Sequence, residues 1–235
     1  MTASRRLREL ASARRLPEGA EPRLGRLLAL LAEDDAAPTT VREPARAVDA
    51  HVADSLSALE LEEVRRARRI ADLGAGAGFP GLALAVALPA SHVSLVESVG
   101  KKCAFMERAI EAAGIANAEV VCARAEEWPE GIGAHDLVAA RALAPLAVIV
   151  EYAAPLLAMG GVLVAWKGAR DETEEADGAA AAEELGLSAG AIRAAAPFPT
   201  ANRRHLHLYS KVMETPDRFP RRPGIARKRP LRRST

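Results

Sequence analysis

The stretch ADLGAGAGFPGLALA, residues 71 to 85, contains four glycines between an acidic residue and an apolar run. RRIADL (68–73) predicts a buried strand that leads into the glycines, and GLALAVAL (81–88) predicts a helix that follows them. A strand, a glycine-rich turn and a helix N-terminus together are typical of a nucleotide-binding site. This stretch therefore predicts an α/β domain that binds a ligand at the turn.

Two registers of the glycine loop are compatible with the sequence. Read from Gly76, the glycines fit G-x-G-x-x-G, which is typical of dinucleotide binding. Read from Asp72, they fit D-x-G-x-G-x-G, the pattern of loops that hold S-adenosylmethionine. The first register would bury the Asp72 carboxylate and a glycine inside the strand, whereas the second places Asp72 beside the cationic amino end of the ligand. We therefore interpret the loop as a site for S-adenosylmethionine, with a nicotinamide dinucleotide or no ligand as the alternatives.

Glu97 ends the next predicted strand, HVSLVE (92–97). A carboxylate at this position is suited to accept hydrogen bonds from both ribose hydroxyls of a nucleoside. Dinucleotide enzymes use an acidic residue in a similar way, so Glu97 indicates a nucleoside ligand without selecting between the two registers.

Strand and helix patterns alternate along the rest of the chain. Further strands are predicted over 119–124, 135–141, 161–168 and 204–212, with helices over 101–113, 145–157 and 171–186. Such alternation predicts a Rossmann-like, doubly wound, mostly parallel sheet covered on both faces. Leucines at three- and four-residue steps predict short helices before it, the last over 47–66. We expect an N-terminal helical extension (1–65), the Rossmann-like domain (66–213) and a basic, flexible C-terminal tail (214–235).

The charge of the chain is unevenly distributed. Residues 218–235 carry eight Lys and Arg and no Asp or Glu, so 24 basic residues remain against 31 acidic ones in residues 1–217, a net charge of −7. A basic tail on an acidic body predicts contact with a polyanion, and a disordered solubilising tail is the alternative. We expect the tail to bind a polyanion without affecting the ligand site.

Other features argue against several classes of protein. No apolar run reaches the roughly 18 residues that span a bilayer, and the charged N-terminus lacks the apolar core of a signal peptide, so we expect a soluble cytoplasmic protein. Cys103 and Cys122 form no CxxC pattern, which argues against a metal site or a disulfide framework. His205 and His207 have no third ligand nearby in the sequence, so we expect no metal site there.

A series of short motifs occurs in a characteristic order. They are HVADS (51–55), DLGAGAGFPG (72–81), LVES-x-GKK-x-x-F (95–105), ARAEEW (123–128), ARA (140–142) and WKG (166–168). With them, the chain resembles the bacterial ribosomal RNA small subunit methyltransferase G family, also called glucose-inhibited division protein B. The resemblance implies a class I S-adenosylmethionine-dependent methyltransferase acting on N7 of a guanine in 16S ribosomal RNA.

The resemblance and the loop register together define the expected site. The expected cofactor-binding residues are Asp72, Gly74, Gly76, Gly78, Phe79, Glu97, Ala125, Glu126 and Arg141. The resemblance places Ala125 and Glu126 at the adenine and Arg141 near both the methyl donor and the target base, so Arg141 is the expected catalytic residue. His51, Asp54 and Ser55 share one helix face, which predicts a brace beneath the loop, with RNA contact as the alternative.

The expected partner is 16S ribosomal RNA, free or within the small ribosomal subunit. The residues expected at its phosphates are Lys101, Lys102, Arg221, Arg222, Lys228 and Arg229, together with Arg5, Arg6, Arg8, Arg14 and Arg15. A solvated first helical turn is the alternative for the two lysines. We expect a monomer with no membrane partner. A small-molecule methyltransferase and a non-catalytic RNA-binding or assembly factor are the alternative functions.

Overall fold

The centre of the molecule is one twisted sheet, described by a computed structural model that covers residues 2–199, 201 and 203–233. Within these residues seven strands pair in the order β3-β2-β1-β4-β5-β7-β6. The first five strands run parallel, whereas β7 is antiparallel to both of its neighbours. The strands are β1 (Arg69–Leu73), β2 (His92–Val96), β3 (Ala118–Val121), β4 (His135–Arg141), β5 (Leu157–Lys167), β6 (Leu187–Ala195) and β7 (Arg204–Lys211).

Helices cover both faces of this sheet, as the apolar strands require. Alternate residues of β1 point to opposite faces, so Ile70 packs into one hydrophobic core and Ala71 and Leu73 into the other. The helices are α1 (Ala3–Ala13), α2 (Ala20–Glu33), α3 (Pro44–Ala47), α4 (Asp54–Leu56), α5 (Glu62–Arg66), α6 (Gly81–Ala87), α7 (Gly100–Ala113), α8 (Leu146–Ala153), α9 (Glu172–Glu184) and α10 (Ile225–Lys228). This architecture confirms the predicted doubly wound, mostly parallel sheet. None of the helices in the described residues combines the length and the apolar character that crossing a bilayer requires.

The N-terminal helices share a core with the sheet. Leu24 and Leu31 of α2 are fully buried in the same cluster as Ile70 of β1 and Phe105 of α7. The leucine spacing thus marks the buried faces of α1 and α2 correctly. The division at residue 65 stays a prediction, because hydrophobic packing is continuous across it.

Two elements differ from the sequence expectation. The single helix expected over 47–66 is a series of short turns that includes a wide π-helical turn (Val48–Ala53), and it is interrupted at Leu61, whose backbone is extended. The hydroxyl of Ser57 donates to the carbonyl of Asp54 at 2.6 Å, an interaction that competes with regular helix geometry. Strand β6 was not expected, because its small residues and Gly190 have low strand propensity; pairing with β7 holds it at the sheet edge.

Candidate cofactor pocket and active site

The glycine loop joins the carboxyl end of β1 to α6. Gly74, Gly76 and Gly78 all have positive φ, at 65°, 60° and 89°, so the spacing D-x-G-x-G-x-G is the pattern that the backbone uses. A Cβ on Gly74 would lie 2.5 Å from Cδ1 of Leu143, which follows β4. The turn therefore needs glycine both for its backbone conformation and for the close approach of the neighbouring strand end.

Asp72, at the start of this loop, is buried. It is 1% exposed, and its Oδ2 accepts a 2.7 Å hydrogen bond from the backbone N–H of Gly81, where α6 begins. Burial raises the pKa of Asp72 to about 7, against the opposing effects of the Gly81 hydrogen bond and the Arg141 charge. We expected this carboxylate next to the ligand's amino group. The structure instead uses it to join β1 to α6, because a buried acceptor needs a backbone donor.

A cavity of about 380 Å³ lies at the carboxyl ends of the parallel strands, next to the glycine loop. Four of the expected cofactor residues line it: Gly74, Glu97, Ala125 and Glu126. Lys102, Leu143, Tyr152 and Arg227 line it as well. Doubly wound sheets bind their ligands at the point where the strand order reverses. In this sheet that point lies between the neighbouring strands β1 and β4.

Glu97 connects the loop to the rest of the pocket. Its Oε2 accepts from the N–H of Gly76 at 3.2 Å, and its Oε1 accepts from the N–H of Val99 at 3.0 Å. The ammonium of Lys102 lies 3.4 Å from Oε2. The carboxylate is 6% exposed and thus held in one orientation at the cavity wall. Lys102, expected at RNA phosphates, is paired inside the pocket instead.

Arg141 lies beside this pocket, in a polar cluster with the HVADS segment. Its Nη1 donates at 2.9 Å both to the carbonyl of Ala50 and to Oδ2 of Asp54. The indole N–H of Trp166 donates to the carbonyl of Asp54 at 3.0 Å, and the guanidinium of Arg204 lies 3.4 Å from Oδ1 of Asp54. Asp54 therefore positions Arg141, which is the brace expected of this segment.

His51 extends the brace to the glycine loop. Its ring stacks on Phe79 with the centroids 5.2 Å apart, and its Nε2 lies 3.1 Å from the hydroxyl of Thr39. Burial and then the nearby Arg141 charge lower the pKa of His51, so the imidazole is neutral at pH 7. Phe79, expected to contact the cofactor, is 5% exposed and packs on this histidine. Five of the expected cofactor residues are not among those that line the cavity: Asp72, Gly76, Gly78, Phe79 and Arg141.

The C-terminal segment packs on the body, although the sequence predicts a flexible tail. Phe219 and Ala226 are buried, and the guanidinium of Arg221 binds both carboxylate oxygens of Glu151 at 2.6 and 2.5 Å. The reason is that Glu151 is 2% exposed, and a buried carboxylate requires a cationic partner. Arg221 is therefore not free for a phosphate. The last two residues of the predicted tail, 234 and 235, lie outside the described residues.

The other expected RNA contacts divide into paired and exposed cations. Arg6 pairs with Asp49 and Arg14 with Glu60, and similar carboxylate partners lie beside Arg5 and Arg8. The side chains of Arg222, Lys228, Arg229 and Lys101 are exposed. Arg227 of the same tail lines the cofactor cavity, although we expected the tail to bind RNA without affecting that site.

The two cysteines also differ from the sequence expectation. The structure joins Cys103 of α7 to Cys122, just beyond β3, in a disulfide with 5.8 Å between the Cα atoms. Their spacing of 19 residues gave no sign of this contact. It arises because β3 returns alongside α7, which brings the end of the strand back to the start of the helix.

The sequence of this chain is similar to those of known proteins. A family model described as rRNA small subunit methyltransferase G matches residues 24–206. The ribosomal RNA small subunit methyltransferase G of Rubrobacter xylanophilus is 42% identical over 197 residues, covering 81% of this chain and 76% of that protein. The protein of the same name from Pelotomaculum thermopropionicum is 40% identical over 185 residues, covering 77% of each chain.

Solved structures show the fold. A SAM-dependent methyltransferase from Aquifex aeolicus superposes with a TM-score of 0.54 at 15% identity, covering 71% of this chain and 93% of its own. The [4+2]-cyclase SpnF superposes with a TM-score of 0.56 at 14% identity, covering 84% of this chain and 97% of its own. A methyltransferase and a cyclase share this architecture, so the fold does not select the reaction. The sequence comparison does select the family: this chain belongs to the ribosomal RNA small subunit methyltransferase G family.

Proposed function

We propose that this chain transfers the methyl group of S-adenosylmethionine to N7 of a guanine in 16S ribosomal RNA. One observation carries the proposal. A cavity walled by Gly74, Glu97 and Glu126 lies at the carboxyl ends of the parallel strands, in a member of a family described as small-subunit rRNA methyltransferases. The choice of N7 follows the family resemblance, and the chemistry of the site agrees with it.

The residues at the cavity fit S-adenosylmethionine. Gly74 presents bare backbone there, and a side chain at this position would meet Leu143. The Glu97 oxygens each accept one backbone N–H and retain lone pairs for the ribose hydroxyls. Glu126, which also lines the cavity, supplies an acceptor for the amino group of adenine. The volume of about 380 Å³ is within the usual range of small-molecule sites.

The reaction makes few demands on the protein's acid–base groups. S-adenosylmethionine supplies a methyl group on a positively charged sulfur, and N7 of guanine has a free lone pair and no proton. The protein therefore has to align the base with the methyl group and exclude water, and such positioning contributes roughly 7–11 kcal/mol. We assign the alignment to Arg141. Its Nη1 is held by Asp54 and Ala50, and its Nε and Nη2 are the groups we propose for acceptor oxygens of the target nucleotide.

The exposed cations are our candidates for the RNA backbone. Arg222, Lys228 and Arg229 lie on the C-terminal segment, and Lys101 begins the helix beside the pocket. Phosphates attract such groups without regard to sequence, so these residues contribute affinity while the pocket selects the base. We propose that the enzyme acts as a monomer in the cytoplasm, on free 16S RNA or on the small subunit.

A methyl-transfer assay tests the proposal. The protein is incubated with labelled S-adenosylmethionine and either 16S RNA or small subunits from cells that lack this modification, and the modified base is mapped by mass spectrometry. We expect label at one guanine N7 in at least one substrate, and its loss in Glu97→Gln. Binding of S-adenosylmethionine with no label in either RNA substrate would indicate a small-molecule methyltransferase or a non-catalytic factor. Binding of NAD(H) instead of S-adenosylmethionine would indicate that the glycine loop is a dinucleotide site.

A further inference from the structure

The C-terminal segment, residues 219–229, is anchored at the edge of the cofactor cavity. Phe219 is buried, and the neighbouring Arg221 is fixed by both oxygens of Glu151 and by the carbonyl of Arg229, to which its Nη2 donates at 2.9 Å. Ala226, between these anchors, is 2% exposed. Removing the partner of a buried carboxylate is strongly unfavourable, so this arrangement holds the segment against α8.

The anchored segment orients one of the expected cofactor residues. The backbone N–H of Gly224 donates to Oε1 of Glu126 at 3.1 Å, across 98 positions of sequence. Gly224 has a φ of 79°, a conformation that other residues adopt at a cost. The Gly224 hydrogen bond uses one lone pair of Oε1, so Oε2 of Glu126, which accepts no hydrogen bond from the described residues, has the greater acceptor capacity for a ligand in the cavity.

Arg227 places a guanidinium on the same side of the cavity. Its Nη2 donates to the carbonyl of Leu143 at 3.1 Å, just beyond β4, and its side chain lines the cavity with Glu126 and Tyr152. Burial and then the Glu126 charge raise the pKa of Tyr152, while contact with Arg227 acts in the opposite direction. Three polar side chains from distant parts of the sequence thus meet at one end of the pocket.

We propose that the C-terminal segment completes the adenosine end of the cofactor pocket. Arg227 acts as a cofactor-binding residue, and Gly224 acts as a positioning residue that presents Oε2 of Glu126 to the 6-amino group of adenine. This inference rests on the proposed function, since it assigns parts of the same pocket. It separates the exposed cations of the tail into two groups: Arg227 lines the cavity, whereas Arg222, Lys228 and Arg229 do not.

The orientation of Glu126 has a chemical consequence. A carboxylate oxygen accepts a hydrogen bond from the 6-amino group of adenine but repels the 6-oxo group of hypoxanthine. The protein should therefore bind S-adenosylhomocysteine more tightly than its deaminated analogue, S-inosylhomocysteine. Loss of one hydrogen bond to a charged group corresponds to about tenfold or more in affinity.

Calorimetry on the full-length protein tests the proposal with four variants. Arg227→Gln should weaken binding of S-adenosylhomocysteine about tenfold, while Arg232→Gln, an exposed arginine of the same tail, should leave it unchanged. Gly224→Pro removes the N–H donor and, because proline cannot adopt a φ of 79°, also alters the turn, so it should reduce the preference for the adenine ligand over the hypoxanthine ligand. Gly224→Ala keeps the N–H and should retain more of that preference, since nothing lies within 4 Å of its added Cβ.

The outcomes separate this inference from the proposed function. If the unaltered protein binds S-adenosylhomocysteine and Arg227→Gln binds it equally well, the role of the segment is wrong while the enzyme assignment stands. If Gly224→Pro and Gly224→Ala keep the full adenine preference, the positioning role is wrong. If the unaltered protein binds neither ligand, the proposed function itself fails. Thermal unfolding of each variant establishes that it is folded before binding is compared.

Discussion

Arg141 and Asp54 are 87 positions apart in the sequence, and their side chains form a 2.9 Å ion pair between Nη1 and Oδ2. The pair joins the end of the central strand β4 to the helical segment that precedes the sheet. Asp54 is 7% exposed and Arg141 is 16% exposed, so water screens the pair only partly. The N-terminal helices therefore hold the residue that we assign to the target base.

Asp54→Asn tests this coupling. The substitution keeps the shape of the side chain but leaves Arg141 without its counter-charge, so we expect a loss of about 3 kcal/mol in the free energy of unfolding and a large fall in kcat. Asp49→Asn is the matched control, because Asp49 pairs with Arg6 at 3.0 Å in a more exposed position. It should cost about 1 kcal/mol or less and leave methyl transfer intact. Urea unfolding measures the free energy of unfolding of each variant, and the methyl-transfer assay measures its kcat. Equal effects of the two substitutions would contradict the role of Asp54 in positioning Arg141.

Gly74→Ala should reduce the affinity of the pocket for its ligand in addition to reducing the stability of the protein. Its φ of 65° and a Cβ position 2.5 Å from Leu143 predict both backbone strain and a displaced pocket wall. Gly133→Ala is the control, with a φ of 63° and nothing within 4 Å of the added Cβ. Both variants should lose about 1–2 kcal/mol of stability, but only Gly74→Ala should lose affinity for S-adenosylhomocysteine. Unchanged affinity in Gly74→Ala would place the ligand elsewhere.

Glu97→Gln should weaken cofactor binding by about tenfold to a hundredfold, since a neutral amide is a poorer acceptor for two ribose hydroxyls. Glu119→Gln serves as the control. Glu119 is a carboxylate on the adjacent strand that accepts from the hydroxyl of Ser94 at 2.9 Å, outside the cavity lining. Titration with S-adenosylhomocysteine measures both variants. A similar affinity in the two would show that Glu97 does not contact the ligand.

Asp72 predicts a specific pH dependence of stability. Burial raises its pKa to about 7 in the folded protein, against 3.8 for the ordinary group. Between these values the folded state binds more protons than the unfolded state, so the contribution of Asp72 is present at low pH and is lost as the pH rises toward 7. The loss amounts to at most about 1.4 kcal/mol per pH unit.

Asp72→Asn removes this titration while keeping an acceptor for the N–H of Gly81. The difference in unfolding free energy between the native protein and Asp72→Asn should therefore shift in favour of the variant from pH 5 to pH 7.5. Urea unfolding at both values measures it, and the other titrating groups cancel in the difference. A difference that is independent of pH would mean that Asp72 is ionised throughout this range.

The exposed cations of the C-terminal segment predict a salt effect on RNA binding. Replacing Arg222, Lys228 and Arg229 by Gln should weaken RNA binding and reduce the slope of log affinity against log salt by about 2. Replacing Arg5, Arg8 and Arg14, which have carboxylate partners, should change the slope less. Filter binding at several salt concentrations measures the RNA affinity of both triple variants. Equal slopes for the first triple and the native protein would exclude these three residues from the interface.

The sequence by itself determined six of the seven strands and the place of the loop. Alternating apolar strands and helices are local patterns, and the spacing D-x-G-x-G-x-G specifies three left-handed glycines after β1. Glu97 and the ARAEEW motif follow strand ends, so parallel topology alone brings them to one edge of the sheet.

Tertiary structure decided which side chains complete the site. Asp72 was expected at the ligand but is buried against α6, because the register of β1 turns its carboxylate toward the N–H of Gly81. The tail was expected to bind RNA, whereas Arg227 within it lines the cofactor cavity, because Arg221 pairs with Glu151, a buried carboxylate on α8, and this pair anchors the segment. No local pattern marks such a pairing. The pairing depends on a carboxylate that folding removes from water, and only the tertiary structure shows which cation lies beside that carboxylate.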